Sequence, residues 1–84
     1  MPRYFFNVSD GAYFPDKEGS ELPDDAAART EALAASGEML KSVVRNSANF
    51  WNGEEWLMEV VHESGTTVAT IRFSASIPAR QKVP

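Results

Sequence analysis

Side chains alternate with a period of two from Arg3 to Val8. Tyr4, Phe6 and Val8 fall on one side, and Arg3, Phe5 and Asn7 on the other. An aromatic run with that period predicts a strand whose first set faces the core. Ser9-Asp10-Gly11 then predicts a tight hairpin, with Ala12-Tyr13-Phe14 as the returning strand. Pro15-Asp16-Lys17-Glu18-Gly19 reads as a second turn, and Ser20-Glu21-Leu22 as a short third extended piece.

The period changes at Pro23. Proline biases Leu22 towards an extended backbone, Asp24 is a good N-cap, and Asp25 places negative charge in a first helical turn. One long amphipathic helix is predicted from Asp24 to Asn46. Its apolar stripe is Ala26, Leu33, Gly37, Leu40 and Val44, flanked by Ser36 and Val43. Gly37 costs about 1 kcal/mol of helix propensity, so a close approach by a strand or a ring is expected there. The pattern is lost at Asn46-Ser47-Ala48-Asn49, and Asn suits a helix end.

Phe50-Trp51-Asn52-Gly53 reads as an aromatic connector. A second hairpin follows. Glu55 to His62 puts Trp56, Met58, Val60 and His62 on one face and Leu57, Glu59 and Val61 on the other. Glu63-Ser64-Gly65 turns. Thr66 to Phe73 returns, with Thr67, Ala69, Ile71 and Phe73 opposite Thr66, Val68, Thr70 and Arg72. Threonine and valine at this density favour strand. Ser74 to Pro84 has two prolines and little periodicity; it reads as a tail, with Ile77 tucked against the domain.

The expected fold is therefore α+β, in the order β-β-(short β)-α-β-β. An antiparallel sheet of about four strands carries the long helix on one face. Residues 1–75 make a single domain and 76–84 a flexible C-terminal tail.

With 84 residues, only one small core is available. A hydrophobic fraction of 43% and a charged fraction of 24% separate the chain from disordered sequences. No cysteine is present, which removes disulfides and thiolate metal sites and fits a reducing cytoplasm. The short opening apolar run does not make a signal peptide, and no run reaches the length of a membrane span. The net charge of −4 disfavours binding to a phosphate backbone. Residues 47–73 carry Glu54, Glu55, Glu59 and Glu63 against Arg72 alone. Arg80 and Lys82 in the tail are too sparse to reverse that.

Met1-Pro2-Arg3-Tyr4-Phe5-Phe6-Asn7-Val8, followed by Asp10-Gly11, resembles the opening of a family of short uncharacterised alphaproteobacterial proteins. That family continues with an acid-acid-Gly-x-Glu-Leu-Pro-Asp segment and an alanine-rich helix. Here the segment stands as Asp16-Lys17-Glu18-Gly19-Ser20-Glu21-Leu22-Pro23-Asp24, before Ala27-Ala28-Arg29-Thr30-Glu31-Ala32-Leu33. The closing hairpin, Trp56-Leu57-Met58-Glu59-Val60 to Val68-Ala69-Thr70-Ile71-Arg72-Phe73, is also similar. The resemblance covers about residues 1 to 75. It implies a bacterial domain of unknown function and carries no activity. The Phe50-Trp51-Asn52-Gly53 connector is longer and more aromatic than the family's. A looser likeness of topology is to antitoxins of the HicB type, although the usual DNA-binding extension is missing.

The chemistry is sparse. His62 is the only histidine, and a solvated strand end explains it better than a ligand or a base. Ser64, His62 and Asp10 make a triad only on paper, because no nucleophile elbow supports it. Asp16, Glu18, Glu21, Asp24 and Asp25 lack calcium-loop spacing. The glycines sit one to a turn, apart from Gly37, so no loop cradles phosphate. Arg3 with Tyr4, Phe5 and Phe6 lacks the basic surroundings of an RNA-stacking strand. No catalytic set, metal or cofactor is expected.

One helix covers one sheet face. Phe5, Leu57, Val61 and Val68 on the other face, with Phe50 and Trp51 of the connector, form the expected protein-contact surface. The competing reading has the tail or the connector covering them within the monomer. The expected function is a small non-enzymatic interaction module with an unidentified protein partner. Self-association through the open sheet face or a free strand edge is the homodimer version. The alternative is a HicB-antitoxin-like regulator that binds a protein toxin or nucleic acid. No membrane partner is expected.

Overall fold

The computed structural model describes residues 1–46 and 52–77. Five strands and one helix follow in the order β1 (Arg3–Ser9), β2 (Tyr13–Phe14), β3 (Ser20–Glu21), α1 (Asp25–Asn46), β4 (Asn52–His62) and β5 (Thr67–Ser76). The fold is α+β. All strand pairs are antiparallel and the sheet order is β2-β1-β4-β5, with β3 also pairing β1.

The alternation sets the faces as expected. Tyr4, Trp56, Met58 and Val60 are buried and meet Ala28 and Ala32 of the helix. Register explains why they share a face, since Phe6 lies opposite Val60 and Val8 opposite Met58, while Met58 lies opposite Ile71. β4 starts earlier than the pattern indicates, so Asn52 and Gly53 belong to a strand rather than a turn. β5 runs on to Ser76, which moves the end of regular pairing past Ser74. Ile77 is 75% exposed and does not tuck against the domain.

The outer edge of β1 is closed in an unusual way. Val8 and Ser9 pair with β2, and Arg3 and Tyr4 pair with β3. Between them a side chain takes over the strand's role. Phe6 N–H donates to Asp16 Oδ2 at 3.2 Å, and Asp16 N–H donates to Asn7 Oδ1 at 2.9 Å. The other carboxylate oxygen accepts from Glu18 N–H and Gly19 N–H, at 3.2 and 3.0 Å. The Phe6 N–H that a neighbouring strand would satisfy is satisfied by a carboxylate, which also folds the loop over the sheet.

The helix begins as its sequence indicates. Asp24 Oδ1 accepts from Ala27 N–H at 2.8 Å, which makes Asp24 the N-cap. Its rotation about its own axis differs from the expectation. The buried line is Ala28, Ala32 and Ser36, with Ala35 and Leu40 partly buried. Leu33 is 65% exposed, Val44 is 57% exposed, and Ala26 and Gly37 are exposed too. A Cβ built on Gly37 meets nothing within 4 Å, so among the described residues no strand or ring approaches there.

Two forces set this rotation. The sheet already supplies the large side chains Trp56, Met58 and Tyr4, so small residues on the helix allow close contact without voids. Ser36 Oγ donates to Met58 Sδ at 3.5 Å, which gives this buried hydroxyl a partner. In addition, Tyr4 Oη donates to Asp25 Oδ1 at 2.6 Å, and Arg29 Nε donates to the Val68 carbonyl at 3.0 Å. Asp25, Ala28, Ala32 and Ser36 lie along one line of a 3.6-residue period, so fixing Asp25 over Tyr4 turns that line inward.

Candidate interaction surface

The sheet face away from the helix is arranged in rows. Phe5, Val61 and Thr67 make one, Asn7, Glu59 and Thr70 the next, and Ser9, Leu57 and Arg72 a third. Phe5, Leu57 and Val61 stand where the alternation puts them, but they are half-buried rather than open. The Gly19 turn closes over Phe5: an ideal Cβ at Gly19 lies 3.0 Å from Phe5 Cε1. Polar Asn7, Glu59 and Thr70 divide Phe5 and Val61 from Leu57. An exposed pair, Arg72 with Glu55 at 3.9 Å, borders Leu57 and is worth at most about 1 kcal/mol.

Val68 does not join them. A register shift falls between Val60 and Val61, so Val60 pairs Ala69 while Val61 pairs Thr67. The bulge leaves Val68 between them, packed against the core cluster. Phe50 and Trp51 lie outside the described residues.

The exposed large apolar side chains lie elsewhere. Tyr13 and Phe14 stand out on β2, beyond the reach of the helix. Leu33, Met39 and Val44 stand out on α1. Sequence reasoning found Leu33 and Val44 as an apolar stripe but assigned that stripe to the core. The long outer strand is β5, which among the described residues pairs only with β4 and carries one charge, Arg72, in its ten residues.

His62 and Ser64 do come together. Ser64 N–H donates to His62 Nδ1 at 3.0 Å, and Ser64 Oγ lies 2.8 Å from the same nitrogen. Ser64 Oγ also reaches Thr66 Oγ1 at 3.2 Å. The nitrogen that would act as a base is thus already engaged in closing the β4–β5 turn. Asp10 follows the far end of β1, six residues from Tyr4, the residue paired with His62, or roughly 20 Å along the strand. The His62 ring instead stacks edge-on against Tyr4, with centroids 5.2 Å apart. Among the described residues no group of three or more His, Asp or Glu side chains is placed to hold a metal ion. No described helix is long and apolar enough to cross a membrane.

The Tyr4 phenol carries a large titration shift. It is pushed up from 10.0 to about 12, first by the hydrogen bond it donates to Asp25, then by burial and by the charges of Asp25 and Asp24; Arg29 opposes. Below pH 10 the folded and unfolded chains both keep this proton, so the contribution to stability is complete. As pH rises from 10 towards about 12 the unfolded chain releases the proton first, and the contribution is lost. The stability advantage of the wild type over Tyr4→Phe is therefore expected to shrink across that window in urea titrations. A gap that stays constant with pH would show that the phenol is not held by Asp25.

A 3.6-period helix laid on one face of an antiparallel five-stranded sheet, with apolar side chains left on the helix's outer side, defines a small α+β domain. The chain belongs to a family described as a domain of unknown function (DUF6894), whose model matches residues 3–74. No curated protein and no solved structure is similar enough to match.

Proposed function

We propose that the protein is a small non-enzymatic interaction module of the bacterial cytoplasm, working through protein contact. The observation that carries this reading is Leu33 at 65% and Val44 at 57% exposure on one line of α1. Single exposed apolar residues are ordinary, but a line of them along a regular element is a contact surface in waiting. A cysteine-free chain with net charge −4 suits a reducing compartment and a protein partner better than a phosphate backbone.

Site-specific photo-crosslinking tests the reading. A photoreactive side chain placed at Leu33 or Val44 in living cells is expected to capture protein. The same group at Thr70, on the opposite side of the sheet, is expected to capture none. Equal capture at all three positions, or none at any, would overturn it.

A further inference from the structure

We propose that the exposed stripe of α1 is the seam of an antiparallel homodimer, so that the module's partner is a second copy of this chain. This rests on the interaction reading above and names its partner.

The stripe continues further than its large residues show. Ala26, Thr30, Leu33, Gly37, Leu40 and Val44 follow spacings of four, three, four, three and four. That alternation is the heptad seam by which one helix packs on another, and a strand or a loop would not need it. The seam lies roughly a third of a turn around α1 from the Ala28–Ala32–Ser36 line, so a second helix meets no strand of the sheet. Five of its six residues are exposed, and Leu40 is half-buried and shared with the core.

Shape selects the partner. The first half of the seam is small, with Ala26 and Thr30, and the second half is large, with Leu40 and Val44. Two copies running antiparallel about a two-fold axis at the level of Ala35, the middle of Asp25–Asn46, pair large with small in every layer. Val44 meets Ala26 of the second copy, Leu40 meets Thr30, and Leu33 enters the gap at Gly37. Alternating large and small residues is what close helix packing requires. Gly37 then has a use. It spends helix propensity on open space within its own chain, and that space is the slot for Leu33 of the other copy.

Charge agrees with the direction. Asp24, Asp25 and Glu31 outnumber Arg29 in the N-terminal half, and Lys41 and Arg45 outnumber Glu38 in the C-terminal half. Antiparallel alignment sets unlike halves and opposed helix dipoles side by side. Association through a single helix pair is expected to be reversible and concentration-dependent.

Sedimentation equilibrium of the full chain, from micromolar to millimolar protein, is the test. The wild type is expected to dimerise. Leu33→Glu puts a charge into two layers and is expected to weaken dimerisation by roughly 100-fold or more. Gly37→Leu leaves the monomer undisturbed but fills the slot, so weaker association is expected. The double variant Leu33→Ala/Gly37→Leu exchanges large and small within one layer and is expected to recover association. A wild type that stays monomeric throughout, or a double variant no better than Gly37→Leu alone, overturns the homodimer. If the wild type is monomeric but a different protein still crosslinks at Leu33 and Val44, the second copy is wrong and the interaction reading stands. If neither occurs, both fall.

Discussion

Gly19→Ala is expected to destabilise the fold by about 3–4 kcal/mol, the sum of two independent penalties. Gly19 has φ 71°, in the left-handed region, where a Cβ costs about 1–2 kcal/mol. The added Cβ would also lie 2.9 Å from Arg3 Cγ, 2.9 Å from the Tyr4 carbonyl oxygen and 3.0 Å from Phe5 Cε1. The Tyr4 oxygen is main chain of β1, paired on both sides, and it cannot swing away as a side chain would. Relief by moving the loop is blocked as well. Asp16 holds Gly19 N–H and Phe6 N–H with its two oxygens, and Arg3 Nη1 donates to the Glu18 carbonyl at 2.8 Å.

For a chain of 84 residues the whole stability is about 4–13 kcal/mol. The variant would thus melt roughly 12 °C or more below the wild type. Gly11→Ala is the matched control. Gly11 has φ 73° but nothing within 4 Å of its Cβ position, so only the backbone penalty applies. Calorimetry of the two variants separates conformation from crowding. Equal losses at Gly11 and Gly19 would remove the close packing of the loop on β1.

Much of this fold was legible in the sequence because period two leaves few choices. Tyr4-Phe6-Val8 and Trp56-Met58-Val60 can share only one buried face, and Pro23-Asp24 marks a helix start by local chemistry alone. Bulges leave no such trace. The shift after Val60 carries Val68 off the face that holds Phe5, Leu57 and Val61, and alternation along β5 could not show it. The Gly19 turn reads correctly as a turn. Its role as a lid on Phe5 depends on Asp16, whose carboxylate could as well have been solvated.

The rotation of α1 was illegible for a different reason. Leucine and valine dominate any hydrophobic pattern, so Leu33, Leu40 and Val44 outweighed Ala28 and Ala32 in the stripe. What decides burial here is the space left by the sheet, and that space is set by Trp56 and Met58, more than twenty positions away in sequence. The sheet fills its own face, and the helix must be thin where it lands. Misreading the stripe as core concealed the surface that now carries the functional proposal.

Adjacent positions on the helix test this rotation directly. Ala32 is fully buried against the sheet, so Ala32→Leu pushes three extra carbons into the helix–sheet contact. Overpacking of this kind costs about 2–3 kcal/mol, which lowers the melting temperature by roughly 10–20 °C in a domain of this size. Tyr4–Asp25 and Arg29–Val68 tie the N-terminal half of the helix to the sheet and prevent it from rolling to make room. Leu33→Ala, one residue further on, removes the same three carbons from a side chain that is mostly in water. In dilute protein its effect is expected to stay within about 0.5 kcal/mol. Urea unfolding of both variants at low concentration decides the matter. If Leu33→Ala proved the more damaging change, α1 would have to be turned so that its leucine stripe faces the sheet, and the seam proposed for the second copy would disappear with it.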